Sequence, residues 1–165
     1  MTAKIGSAAT AKVVNQLTGG TGMNASLGAL TAGAAGVAAI EAAQVSAQNV
    51  AADLAERSST IKYPAVQVYC DKIVNNLKEK FRSFSGNVQM TIELRHSQDR
   101  LEGLQDSLEL YTDAAAQTLN ASRGDWGDGM FYSGGYEVSF GSVKQGGKKF
   151  IQVAKVTFEI GVSRS

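Results

Sequence analysis

The sequence predicts an α+β fold: a mostly antiparallel sheet with a long C-terminal hairpin, two helices packed on one face, and an Ala/Gly-rich N-terminal arm. Three observations predict it. Apolar residues recur at spacings of three and four in two segments, they alternate with polar ones in three others, and every Phe, Tyr and Trp lies beyond Ser58. Aromatic side chains bury large areas and dominate core energetics, so the core is expected in the second part of the chain. The division is therefore a partly helical arm over residues 1–58 and a domain over 59–165. A chain of 165 residues suits one ordinary domain with an appendage.

In the arm, no charged residue falls between Lys12 and Glu41, which raises the question of a membrane span. Six glycines interrupt that stretch (Gly19, Gly20, Gly22, Gly28, Gly33 and Gly36), and its apolar content is mostly alanine, which gains little from hydrocarbon. No membrane partner is expected. Val37, Ile40, Ala47, Ala51 and Leu54 suit a weakly amphipathic helix over 37–56. Such a helix rarely holds alone, so the arm is expected to be disordered in isolation and to gain order on a neighbouring chain.

The domain opens at Pro64, a residue suited to the first turn of a helix. Val66, Tyr69, Ile73, Leu77 and Phe81 follow at spacings of three and four, which predicts a first helix ending before Ser85-Gly86, with Lys72, Lys78, Lys80 and Arg82 on its outer face. Val88, Met90, Ile92 and Leu94 alternate with Gln89, Thr91, Glu93 and Arg95, the pattern of a strand with one buried face. Ser97 is placed to cap a second helix, whose stripe of Leu101, Leu104, Leu108, Tyr111, Ala115 and Leu119 carries it to about Asn120. A loop is expected over 123–129, leading into Met130-Phe131-Tyr132. Tyr136, Val138 and Phe140 then alternate, as do Ala154, Val156, Phe158, Ile160 and Val162, around a Gly146-Gly147 turn.

The inventory for chemistry is short. With Lys+Arg 16 against Asp+Glu 15 the net charge is +1, so no global field draws the protein to nucleic acid. One cysteine, Cys70, excludes an internal disulfide, and one histidine, His96, excludes a His-rich metal cage; no metal or other cofactor is expected. His96 is read as a surface histidine at a helix start, and Cys70 as a packed thiol. Asp125 and Asp128 lack the spacing of a calcium loop. The glycine-rich stretches lack a phosphate-binding lysine motif. Trp126, flanked by glycines, either closes the core from a loop or anchors an interface. Lys144, Lys148 and Lys149 make the hairpin tip basic, suited to solvent or to an acidic neighbour.

From Tyr63 onward the chain resembles the tail terminator, or neck, proteins of tailed bacteriophages. The resemblance rests on ELRHSQDRLEGLQDSLELY over 93–111, RGDWGDGMFYSGGYEVSFG over 123–141 and GGKKFIQVAKVTFEI over 146–160, and it covers roughly residues 61–165. It implies a non-enzymatic virion protein that forms a ring, usually a hexamer, caps the tail tube and joins it to the head connector. The implied partners are copies of itself, the tail tube protein and the connector protein, with DNA passing transiently through the channel. Interface positions expected on this basis are Trp126, Phe131, Tyr132, Lys144, Lys148 and Lys149. Another tail component, such as a tail-tube protein, is the alternative within the same class, and a membrane-associated scaffold the alternative from another.

Overall fold

The computed structural model describes residues 4–31, 39–49, 62–146 and 149–165. Its elements, in chain order, are α1 (Ile5–Thr18), α2 (Met23–Thr31), a 3-10 turn (Ala42–Gln44), β1 (Val45–Ser46), β2 (Ala65–Asn75), β3 (Phe84–Gln98), α3 (Leu104–Ala121), β4 (Gly124–Gly127), β5 (Met130–Tyr132), β6 (Glu137–Phe140), β7 (Lys144–Gly146) and β8 (Lys149–Arg164). The fold is α+β, with one sheet ordered β1-β2-β3-β8-β5-β4 and with β6 and β7 also paired to β8. Among the described residues every pairing is antiparallel except that of β1 with β2.

The centre of the sheet is a ladder between β3 and β8, in register from Phe84 opposite Arg164 to Gln98 opposite Phe150. Even-numbered residues of both strands, including Met90, Ile92, Val156 and Ile160, face the helices, and those from 84 to 94 and from 152 to 162 are buried. The alternation expected over 88–95 and 154–162 is the cause, because successive side chains point to opposite faces. Along its other edge β8 takes up β7, β6 and β5 in turn, and the β6–β8 and β7–β8 pairings form the expected C-terminal hairpin. Gly147 and Lys148 of its turn lie outside the described residues.

The segment 65–81 is not a helix. β2 pairs with β3, and the three-and-four spacing does not mark one face. Val66 lies opposite core-facing Leu94, Tyr69 points to the other side toward Glu93, and Leu77 and Phe81 fall in the loop beyond Asn75, while a β-bulge lies between Cys70 and Lys72. Val66, Val68 and Cys70 lie opposite the core-facing Leu94, Ile92 and Met90; after the bulge Ile73 lies opposite core-facing Val88. The extra residue swaps odd for even, so one face of the strand reads 66, 68, 70, 73. β-branched Val66, Val68, Ile73 and Val74 also favour a strand over a helix. Beyond Asn75 the chain turns through an exposed loop to Phe84, and Gly86 is required there, since a Cβ would sit 1.8 Å from the Val74 carbonyl oxygen.

Three further expectations are corrected. β3 runs on to Gln98, so Ser97 is no helix cap; α3 starts after Gly103, whose φ of 78° is one that glycine adopts freely. The loop expected over 123–129 is the hairpin β4–β5, turned at Asp128-Gly129 with φ of 54° and 76°, the left-handed pair favoured by tight hairpins. Of the helix expected over 37–56, the described part is instead the 3-10 turn and β1, while 37–38 and 50–56 lie outside the described residues.

The core is shared with the N-terminal segment. Ile5, Ala9, Val13 and Leu17 fall on one stripe of α1, Met23 and Leu27 on α2, and all are buried in the same cluster as Leu108, Leu119, Met130 and Phe158. α1 lies over β2, α3 over β3 and β8, and α2 packs beside α3. Asn24 clamps the chain after α2 with two 2.7 Å bonds: its Nδ2 donates to the Ile40 carbonyl and its Oδ1 accepts from the Ile40 N–H. The core therefore extends beyond 59–165, and alanine-rich helices suit it because small side chains let a helix approach the sheet closely. Gly6 shows this, for a Cβ there would meet Cys70 Cβ at 3.2 Å.

Leu17→Ala is expected to lower the unfolding free energy of the whole chain by about 2–5 kcal/mol in one cooperative transition. Urea titration followed by tryptophan fluorescence checks this. An unchanged midpoint would mean that α1 is an appendage.

Candidate functional site

The face of the sheet that no helix covers among the described residues is built from the odd-numbered residues of β3 and β8 and of the first part of β2. On β3 the sequence Thr91-Ile92-Glu93-Leu94-Arg95 sends Thr91, Glu93 and Arg95 to this face. They are buried nonetheless: Glu93 is 6% exposed and Arg95 3%. Arg95 Nε donates to Glu93 Oε2 at 2.7 Å, and Arg95 Nη2 donates to the same oxygen. Tyr69 Oη, from β2, donates to Glu93 Oε1 at 3.0 Å. Lys155 lies directly opposite Glu93 on β8, with its Nζ 3.7 Å from Oε1. One carboxylate thus ties three adjacent strands together. Next to it, Thr91 Oγ1 donates to Asp71.

Burial, reinforced by the negative charge of Glu93, raises the Tyr69 phenol well above its ordinary value, so it remains a proton donor across the physiological range. A cleft of about 700 Å³ opens over the cluster, with Asn49, Ser139, Phe140 and Val153 among its walls and Lys144 and Lys155 at its margin. Arg95, Lys144 and Lys155 outnumber the single carboxylate, Glu93, among the described lining residues. Such a recess suits the binding of a polar or anionic group. The lining carboxylate, Glu93, is bound by two donor residues, Tyr69 and Arg95, and faces a second cation, Lys155.

The residues singled out in the sequence are scattered. Trp126 closes the core: its ring stacks at 5.6 Å from that of Tyr132, and its Nε1 donates to the Ser122 carbonyl at 2.6 Å. Lys12 Nζ reaches the Trp126 carbonyl at 2.9 Å and the Asp128 carboxylate at 3.2 Å, fastening α1 to the β4–β5 turn. Tyr132 is fully buried, which removes it from any contact with a partner, and its hydroxyl donates to the Gly135 carbonyl at 2.9 Å. Phe131 is 52% exposed on the other side of β5. Lys144 is at the cleft, Lys149 stands 4.0 Å from Asp99, and Lys148 lies outside the described residues.

His96 is not a surface residue at a helix start. It sits half-buried on the helix-facing side of β3 with its ring 5.5 Å from that of Tyr111, and burial lowers its pKa. Cys70 is half-buried in β2, and burial raises its thiol pKa, as suits a packed residue. Asp125 accepts a bond from the Gly127 N–H at 2.8 Å within the hairpin.

The Glu93–Arg95 pair is the site feature that periodicity misses, because both residues read as the wet side of a half-buried strand. The available signal was the opposite charge at i and i+2 on one strand face. Among the described residues no helix is long and apolar enough to cross a membrane. No family model matches the chain, and no curated protein matches it.

Glu93→Gln removes the carboxylate that Arg95 Nε and Nη2 bind and is expected to cost about 3–5 kcal/mol in urea denaturation, while Glu93→Leu/Arg95→Met recovers most of that loss. A cost below about 1 kcal/mol for Glu93→Gln contradicts the assignment. For His96, the unfolded chain takes up the proton first as pH falls, so the stability contributed by the neutral ring is present above about pH 6.5 and is lost as pH drops toward the folded-state pKa. The melting temperature should therefore fall more steeply from about pH 7 to 5 in the wild type than in His96→Gln. Parallel curves would contradict it.

Proposed function

We propose that this chain is a structural virion subunit, a tail terminator or neck protein that forms a ring, caps the tail tube and joins it to the head connector. The observation that carries the reading is the loop between β2 and β3. Phe81 is 100% exposed and Leu77 60%, and both hold positive φ, 65° for Phe81 and 46° for Leu77. Bulky side chains resist that conformation, and exposed apolar groups gain nothing from water.

The loop is ordered rather than loose. Asn75 Nδ2 donates to the Ser83 carbonyl at 3.2 Å, the Ser85 N–H donates to Asn75 Oδ1 at 3.1 Å, and the Ser83 N–H donates to the Arg164 carbonyl at 2.9 Å. A chain that holds two large apolar side chains outward on strained backbone is built to meet a partner. The resemblance over 61–165 supplies the kind of assembly, a ring of copies stacked on a tail tube. On this reading the protein is not an enzyme and needs no cofactor, and it acts in the virion neck after assembly in the host cytoplasm. Near-neutral subunits suit a channel through which DNA must pass without being gripped.

Phe81→Gly is expected to act in opposite directions on fold and assembly. It removes the exposed ring and relieves the backbone, so the melting temperature should hold or rise while rings seen in electron micrographs of the purified wild type disappear. Rings that persist in the variant would contradict the role of the loop. Wild-type tubes growing without limit would favour a tail-tube component.

A further inference from the structure

The near-neutral charge of the chain conceals a separation of sign along its length. The β2–β3 loop carries Lys78, Lys80 and Arg82 against Glu79, all exposed, around Leu77 and Phe81. The opposite pattern runs from the end of β3 into α3. There Asp99, Glu102, Asp106, Glu109 and Asp113 are accompanied by Arg100 and by Lys149, whose Nζ lies 4.0 Å from Asp99, and α3 itself contains no Lys or Arg. Asp106, Glu109 and Asp113 recur at spacings of three and four, so they share one outer face of the helix, Glu102 lies in the turn just before it, and each is exposed. Leu101, 58% exposed, adjoins them.

Helix-dipole stabilisation accounts for acids in the first turn, where Asp106 lies, but it fades beyond that turn and leaves Glu109 and Asp113 unexplained. Glu102, Asp106, Glu109 and Asp113 make no ion pair among the described residues, and neither do Lys78 and Lys80.

The two patches cannot satisfy each other within one chain. The loop adjoins the end of the central ladder where Phe84 faces Arg164. The acidic half of α3 lies toward the other end: Gln152 Nε2 reaches Gln105 Oε1 at 3.4 Å, and Tyr111 stacks on His96, near where Gln98 faces Phe150. A ladder of this length spans on the order of 45–50 Å. Exposed charges are screened beyond about 8–10 Å at physiological salt, so neither patch feels the other across one molecule.

We infer that the β2–β3 loop of one copy docks on the acidic outer face of α3 in the next copy, with Leu77 and Phe81 meeting Leu101 and with Lys78, Lys80 and Arg82 facing the carboxylates. Each copy then offers one patch at each end and receives the complement. A head-to-tail contact of this kind closes into a ring if the rotation between copies permits and otherwise runs on as a filament. The inference rests on the ring reading above only for closure; the contact itself stands on the complementarity of the two patches.

Two charge-reversed variants of the full chain test it, Lys78→Glu/Lys80→Glu and Glu109→Lys/Asp113→Lys, all at exposed positions. Sedimentation velocity in low salt is expected to show wild-type association, at least tenfold weaker association for either variant alone, and recovery when the two are mixed in equal amounts. In the mixture every acidic loop finds a basic helix, and every basic loop an acidic one. Melting temperatures of both variants should match the wild type, which separates lost contact from lost fold.

Assemblies that ignore both reversals would overturn the inference and leave the ring reading standing. Charge-sensitive open filaments would support the contact and overturn the ring reading. A wild type that stays monomeric at high concentration would overturn both. Binding of wild type, but not Lys78→Glu/Lys80→Glu, to phosphatidylserine vesicles without self-association would assign the loop to a lipid surface and overturn the contact.

Discussion

The ladder between β3 and β8 is the member on which every other element depends. Its long strands keep a single register from end to end, so the even positions of both form one continuous apolar face. That face is wide enough to seat α1 and α3 side by side, and its edges give β2 a place on one side and β7, β6 and β5 places on the other. A one-residue slip would turn every core side chain to the opposite face, so the apolar pattern itself guards the register. Glu93 adds a polar guard on the other face, since it meets Tyr69, Arg95 and Lys155 together only when three strands are aligned.

This central rigidity places two different surfaces at opposite ends of the molecule. The β2–β3 loop projects from one end of the ladder, and the acidic half of α3 lies toward the other. A long strand pair acts as a spacer, holding them tens of ångströms apart where no intrachain ion pair can form between them. The consequence we propose is association between copies, with the spacer setting the repeat from one contact to the next. The polar cleft over Glu93, with Lys144 and Lys155 at its margin, is a third surface and faces away from the helices.

Much of this architecture is legible in the residues. Alternation over 88–95 and 154–162 marks the two central strands, leucines from 104 onward mark α3, and the hairpin at the C-terminus follows from strand, turn and strand. What escapes detection does so for definable reasons. Val66, Tyr69 and Ile73 fall at helical spacing although Tyr69 points to the opposite face of β2 from Val66, and only pairing with β3 shows this. Ser97 and Asp99 resemble a helix start, yet pairing with Ile151 and Phe150 carries β3 on to Gln98 and leaves His96 facing the helices. Alanine-rich α1 carries few large apolar groups, and only the sheet beneath it shows that Ile5, Val13 and Leu17 belong to the core. The buried Glu93–Arg95 pair depends on strand neighbours that are distant in sequence, and the charge separation between loop and helix becomes visible only once the fold sets the two apart.

The most direct measurement is site-specific photo-crosslinking from position 81 in the assembled protein, followed by peptide mapping. The account predicts crosslinks into residues 101–113 of a different copy, distinguished from intrachain products by mixing isotope-labelled and unlabelled chains. Crosslinks confined to the same chain, or joining position 81 of one copy to position 81 of another, would contradict it.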